Sequence, residues 1–318
     1  MKATAKLPDV VLQRTNVIGF WKSVKRHWEL LLMLLIPITW FVVYRYVPIY
    51  GIILAFKKYM ILQGVSGSPW VGLEHFERLL GSTKFWQVLG NSFIIAFYRL
   101  VIYMPCPIIF ALLLNEVRVL RFKKVVQTIT YLPHFLSWVV VAGIIRNLLS
   151  PVNGLVNYFV VALGDKPINF MLQPQFFRPI VILSSIWRES GWGSIVILAA
   201  IANIDPDLYS ACEIDGGNRW IQARHITLPG ILPMVLMIYV LRTGQLITVG
   251  FDQIMNLYNP AVYRVADIVS TYTYRVGLVQ FNYAYATAIG LFMNVIAFGM
   301  LVTTNWVARR IDAESALW

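Results

Sequence analysis

Apolar residues run together along this chain in long blocks separated by short polar connections, a spacing suited to membrane helices rather than to one folded core. Crossing a hydrocarbon core takes about 20 apolar helical residues. Six blocks are long enough: roughly 28–47, 86–114, 125–149, 179–201, 231–250 and 285–307. The pattern predicts an all-α integral membrane protein with six transmembrane helices. An even number of spans returns both termini to the same side.

Composition supports this. Of 318 residues, 58% are hydrophobic and 13% charged, too little charge to cover a soluble domain of that size. The net charge is +12. A basic balance can mean nucleic acid, but there Lys and Arg cluster on one soluble face. Here they sit mainly in the connections, where membrane orientation accounts for them. With the N-terminus inside, residues 1–27, 115–124, 204–230 and the tail from 308 become cytoplasmic. Those segments hold fourteen Lys and Arg against eight on the opposite side. Lys22, Lys25 and Arg26 precede the first block, and no small-residue cleavage site follows it, so it reads as a retained signal anchor. The expected organisation is a cytoplasmic segment 1–27, a first span and outer loop 28–85, a five-helix transmembrane domain 86–308, and a cytoplasmic tail 309–318.

Catalytic chemistry is not indicated. Cys106 and Cys212 lie far apart, and His27, His75, His134 and His225 follow no metal-ligand spacing. There is no G-x-x-x-x-G-K-[ST] loop, no Ser-His-Asp or Cys-His arrangement, and no carboxylate pair in an apolar cleft. The chain is expected to bind no metal and no nucleotide or other cofactor. Three outer loops, 48–85, 150–178 and 251–284, are rich in Gly, Pro, Asn and aromatic residues, among them Trp70, Tyr258, Tyr263, Tyr272 and Tyr274. These rings suit an interfacial belt or a docking platform for an external partner.

The most informative stretch is 205–229, DPDLYSACEIDGGNRWIQARHITLP. Asp205 suits an N-cap and Pro206 the first helical position. Ser210 and Ala211 are small, and Gly216 and Gly217 permit the left-handed turn that ends a helix. Asn218 can cap a second helix before Pro229 leads into the fifth span. Helix, turn and helix across a membrane face make a stiff lever for passing a push into the spans.

This loop resembles the E-A-A coupling loop of binding-protein-dependent ABC importers of the type I, maltose-permease class. Ala211, Asp215, Gly216, Ile226, Leu228 and Pro229 match the family pattern at its spacing. Ser210 stands where Glu is usual, Cys212 replaces Ala, and Ala223 stands where Phe is common; Glu213 offers a replacement carboxylate from a neighbouring face. The stretches YRYVPIYGIILAFKKY (44–59), FDQIMNLYNPAVYRVADIVSTYTYRVGL (251–278) and YATAIGLFMNVI (285–296) are similar to the oligosaccharide-permease branch called LplB-like, in which importers of alginate and other uronate oligosaccharides are one member type. The resemblance covers about 28–308. It implies the type I ABC permease fold in the inner (cytoplasmic) membrane. It also implies pairing with a second, homologous permease, two ATPase subunits that bind ATP with Mg, and an extracytoplasmic solute-binding protein that delivers an oligosaccharide. Ser210, Ala211, Cys212, Glu213, Asp215 and Gly216 would then form the surface coupled to the ATPase.

Arg99, Arg188, Glu189 and Arg242 fall near the middle of the second, fourth and fifth spans. A charge at such depth costs about 2.5–3.5 kcal/mol, so these groups are expected to face a bundle interior or a watery cavity. Arg188 and Glu189 point roughly 100° apart on a helix and are not expected to neutralise each other face to face. Trp187 and Trp192 flank them with flat stacking surfaces. Two readings stay open: a translocation cavity that attracts anionic saccharides, or arginines held structurally by carboxylates and carbonyls. A secondary transporter or channel is the rival class. It would show paired inverted halves, of which the chain has no convincing trace, and would not need the 205–229 loop.

Overall fold

A computed structural model describes residues 24–245 and 250–311, and among these residues the β-pairing is one isolated antiparallel bridge between Lys57 and Trp70. Residues 1–23 and 312–318, which hold most of the expected cytoplasmic segment and tail, lie outside the described residues. So do 246–249, at the end of the expected fifth span.

The first helix, α1 (Trp28–Phe56), tightens from a π turn at Val42–Tyr46 into a 3-10 stretch at Val47–Phe56. Up to Ile53 it belongs to a unit of its own. Every side chain from Lys25 to Tyr50 is exposed, as a helix apolar on all sides must be unless lipid or another protein covers it.

The second unit starts at Leu54. Its principal helices are α2 (Glu74–Leu80), α3 (Thr83–Glu116), α4 (Leu120–Phe135), α5 (Trp138–Leu148), α6 (Leu155–Ala162), α7 (Pro174–Ala202), α8 (Pro206–Ile214), α9 (Arg219–Thr243), α10 (Phe251–Leu257), α11 (Val269–Tyr274) and α12 (Tyr283–Arg310). Among the described residues four helices, α1 among them, are long and apolar enough to cross a membrane, and up to six if each sharply bent pair counts as one.

Two expected spans are built differently from the prediction. The third is not a straight helix over 125–149: α4 closes in a 3-10 turn at Leu132–Phe135, and α5 leaves at 104°. Pro133 stiffens the turn, and Ser137 caps α5 by accepting from the Val140 N–H at 3.4 Å. The fifth does not begin near Ile231. The expected second elbow helix and the span are one helix, α9, joined through a π turn at Ala223–Thr227. A π register moves the backbone bonds by one residue, and this lets the chain carry Pro229 without breaking.

Three apolar clusters stack along the unit. Phe85, Val88 and Leu89 of α3 pack with Val269 of α11 and with Tyr285, Ile289 and Met293 of α12. Ile95 meets Ala142, Phe177, Val181, Ile254 and Leu257 from α5, α7 and α10. Ala111, Ile197, Ile201 and Ile231 close the end nearest α8. α7 runs through all but the first of these. It passes α4 backbone to backbone at Gly191, where an added Cβ would strike the Thr130 carbonyl.

Candidate functional site: an elbow and a charged interior

α8 is a one-sided shelf, with no buried residue. The Asp205 side chain accepts from the Asp207 N–H at 3.0 Å, and Pro206 occupies the first turn, as their types require. At the other end Gly216 takes φ +78°; its N–H reaches the Glu213 carbonyl at 3.0 Å, and the Gly217 N–H reaches Cys212 at 2.7 Å. That bond pair is a Schellman turn. Ser210, Ala211, Glu213, Asp215 and Gly216 are exposed and Cys212 is half-buried. Ile214 is 87% exposed and Leu208 52%, so α8 turns apolar surface outward.

The shelf is braced to α9. The Tyr209 and Thr227 hydroxyls meet at 3.0 Å, the Gln222 amide donates to Glu213 at 3.2 Å, and Asn218 caps α9 by accepting from the Ile221 N–H at 3.0 Å. Arg219 pairs with Glu116 of α3 at 2.5 Å; both are solvent-exposed, so the pair sets geometry more than stability. Glu213 is therefore partly committed inside the elbow.

The charged interior divides in two. Arg99, Glu189 and Arg242 line one small cavity together with Tyr103 and Ser185. Arg99 lies in a π turn of α3 (Arg99–Tyr103), is 7% exposed, and donates to the Gln253 side-chain oxygen. Gln253, fully buried on α10, also accepts from the Ser185 hydroxyl at 3.1 Å and donates to the Val181 carbonyl at 2.7 Å and Ser184 Oγ at 2.8 Å. The chain enters α10 through Gly250, φ +102°, where a side chain would collide with the Arg99 guanidinium.

Arg188 reaches the bend between α4 and α5. It donates to the Leu136 carbonyl at 3.0–3.1 Å and to the His134 carbonyl at 3.0 Å, and lies over the Trp138 ring at 4.7 Å. These are loose carbonyls of the turn where α4 breaks, so Arg188 satisfies the bend that divides the third expected span. It also meets Glu189 at 3.1 Å, contrary to the expectation from helical geometry. A long arginine side chain reaches sideways far enough to overcome the angular separation of its neighbour. Trp192 stacks on His134 at 4.6 Å with Phe135 at its edge, while Trp187 is 47% exposed. The six predicted pathway residues thus fall into a cavity group (Arg99, Glu189, Arg242), a bend group (Arg188, Trp192) and the exposed Trp187.

A third polar cluster, absent from the sequence reading, ties the 251–284 segment to α3 and α7. Asn91 donates to the Arg264 and Asp267 carbonyls at 3.0 and 3.1 Å and accepts from Arg178 at 3.0 Å. The fully buried Asp267 carboxylate accepts from Thr271 at 2.8 Å and pairs with Arg275 at 2.5 Å and Lys84 at 3.7 Å. Burial pulls the Arg275 guanidinium down, but the hydrogen bond and charge of Asp267 outweigh it and hold the group above its ordinary value. Arg275 also sits 5.0 Å from the Tyr263 ring centre, which packs on Tyr258. The only sequence signal for this cluster was polar residues inside otherwise apolar stretches.

Residues 104–313 match the family described as "Binding-protein-dependent transport system inner membrane component". The polygalacturonan/rhamnogalacturonan transport system permease protein YteP of Bacillus subtilis is 42% identical over 90% of this chain and 89% of its own. LplB of the same organism is 36% identical over 99% of both chains. A solved bacterial ABC transporter involved in the import of the acidic polysaccharide alginate superposes with a TM-score of 0.86, at 42% identity, over 92% of this chain and 99% of its own. A second structure, of an alginate transporter in complex with an alginate pentasaccharide-bound periplasmic protein, gives 0.85. With the elbow, the helical scaffold and matches running nearly end to end, this chain belongs to the inner-membrane permease components of binding-protein-dependent transport systems.

Proposed function

We propose that this permease forms half of the pathway by which an ATP-driven importer takes up acidic oligosaccharides. The observation that carries the reading is the cavity at mid-length of α3 and α7, where two guanidiniums, Arg99 and Arg242, face one carboxylate, Glu189, itself shared with Arg188. A surplus of positive charge at mid-depth, with Arg99 buried and Arg242 exposed, suits the passage of an anion. The similar proteins named above for polygalacturonan and alginate handle polymers with a carboxylate on their uronate rings.

In this reading both termini and α8 face the cytoplasm, with 1–27 and 309–318 as cytoplasmic ends, 28–85 as first span and outer loop, and 86–308 as the transport domain. A second, homologous permease closes the pathway, two ATPase subunits bind ATP and Mg, and an extracytoplasmic binding protein delivers the cargo. Ser210, Ala211, Cys212, Glu213, Asp215 and Gly216 meet an ATPase groove. Because α8 is braced to α9, closure of the ATPases would move a span and shift the cavity between two states.

The test is uptake into proteoliposomes holding the assembled importer, comparing uronate oligosaccharides with neutral ones of equal length. Uronates should be taken up in preference. Preference for the neutral series refutes the acidic cargo.

A further inference from the structure

At the end of the unit away from α8, an open pocket of about 820 Å³ lies between α3, the start of α7 and the Arg264 turn. Its wall includes Tyr98, Gln175, Arg178, Leu183, Arg264 and Val265, and among the described residues no acidic one lines it. Pockets of 300–1,000 Å³ are the size that encloses a small organic ligand.

Two features mark the wall as built for an anion. Asn91 holds the Arg178 side chain, accepting from its guanidinium at 3.0 Å, and the Arg264 backbone, donating to its carbonyl at 3.0 Å. The Arg178 guanidinium and the Arg264 backbone therefore stand in set positions before any ligand arrives. Second, their charge is left over: among the described residues neither guanidinium pairs with a carboxylate, and the nearby Asp267 carboxylate is taken by Thr271, Arg275 and Lys84. A guanidinium with free donors is matched by a carboxylate, and the Tyr98 ring and Gln175 amide suit the faces and hydroxyls of a sugar.

We infer that this pocket is a second uronate subsite, in which Arg178 and Arg264 hold the carboxylate of one ring before the chain reaches the Arg99–Glu189–Arg242 cavity. The inference rests on the acidic-cargo reading above. Along α7, Arg178 precedes Glu189 by eleven residues, about 16 Å of helix, so the two arginine pairs form successive stations along one wall. An oligomer with a charge on each ring can lean on both, and a neutral one gains from neither.

The test uses the assembled importer with Arg264→Gln and Arg264→Lys. Arg264 is exposed and its bond to Asn91 runs through the backbone, so the fold is spared. Removing the charge should raise the ratio of uronate to neutral KM about tenfold, the weight of one charge-assisted hydrogen bond. Arg264→Lys should recover most of it, and the dependence of uronate KM on salt should flatten in the Gln variant. An unchanged ratio with the wild-type preference for uronate intact overturns this subsite alone. Loss of the second permease from the purified variant complex also overturns it, because the pocket would then be a subunit contact. A wild type that prefers neutral cargo removes the subsite together with the acidic-cargo reading.

Discussion

Gln253→Leu is the sharpest probe of the interior. The leucine keeps most of the volume but removes both the acceptor for Arg99 and Ser185 and the donor to Val181 and Ser184. The losses are unequal. Ser184 keeps the Ile180 and Val181 carbonyls, and Ser185 keeps Val181, so their hydroxyls remain satisfied. Arg99, buried and with its Nε already unpartnered among the described residues, loses the bond to its Nη2. A hydrogen bond to a charged group contributes about 1.5–3 kcal/mol, and stranding the buried donor adds more, so the variant should lose about 3 kcal/mol. At about 2–4 °C per kcal/mol this is a fall of roughly 6–12 °C in apparent Tm of the complex in nanodiscs, followed by tryptophan fluorescence. Arg99→Met in the same background removes the stranded charge, so the double variant should be less damaged than the two single losses combined, by about 2 kcal/mol. Additive losses, or a Leu variant as stable as the wild type, would refute the account of Gln253 as the partner that lets Arg99 be buried.

Two further variants separate the elbow from the bend. Gly216→Val meets no neighbour in space, but its φ of +78° makes a β-branched side chain cost about 1–3 kcal/mol at that turn. ATPase activity should persist while transport falls, measured as moles of cargo per mole of ATP, and normal coupling would show that the Schellman turn is dispensable. Arg188→Ala leaves the Leu136 and His134 carbonyls without their donor, so it should destabilise the α4–α5 bend and leave the choice between neutral and acidic cargo as it was. A change in cargo preference with unchanged Tm would place Arg188 in the pathway instead.

Much of the architecture was legible in the sequence because the bilayer is a severe solvent. It demands helices of a set length with satisfied backbones, and apolar blocks near 28, 86, 179 and 285 could become little else. The elbow was legible for a local reason: Asp205, Pro206, Gly216 and Asn218 each act on backbone groups within a few residues, so their types and spacing carry the geometry. Long-range partners left no such trace. Arg99 and Gln253 are 154 residues apart, and Asn91 and Asp267 are 176, so only packing could reveal that they meet. The same holds for Arg188, whose depth left a pathway role and a structural one open; only the broken helix opposite it showed which carbonyls it holds. Here the chain alone determined where most of the long apolar helices lie and where the elbow turns, because those depend on neighbours in sequence and on the solvent. Which buried charges are held, and by which groups, was decided by tertiary contact, because a charge takes its meaning from the groups within a few ångströms of it.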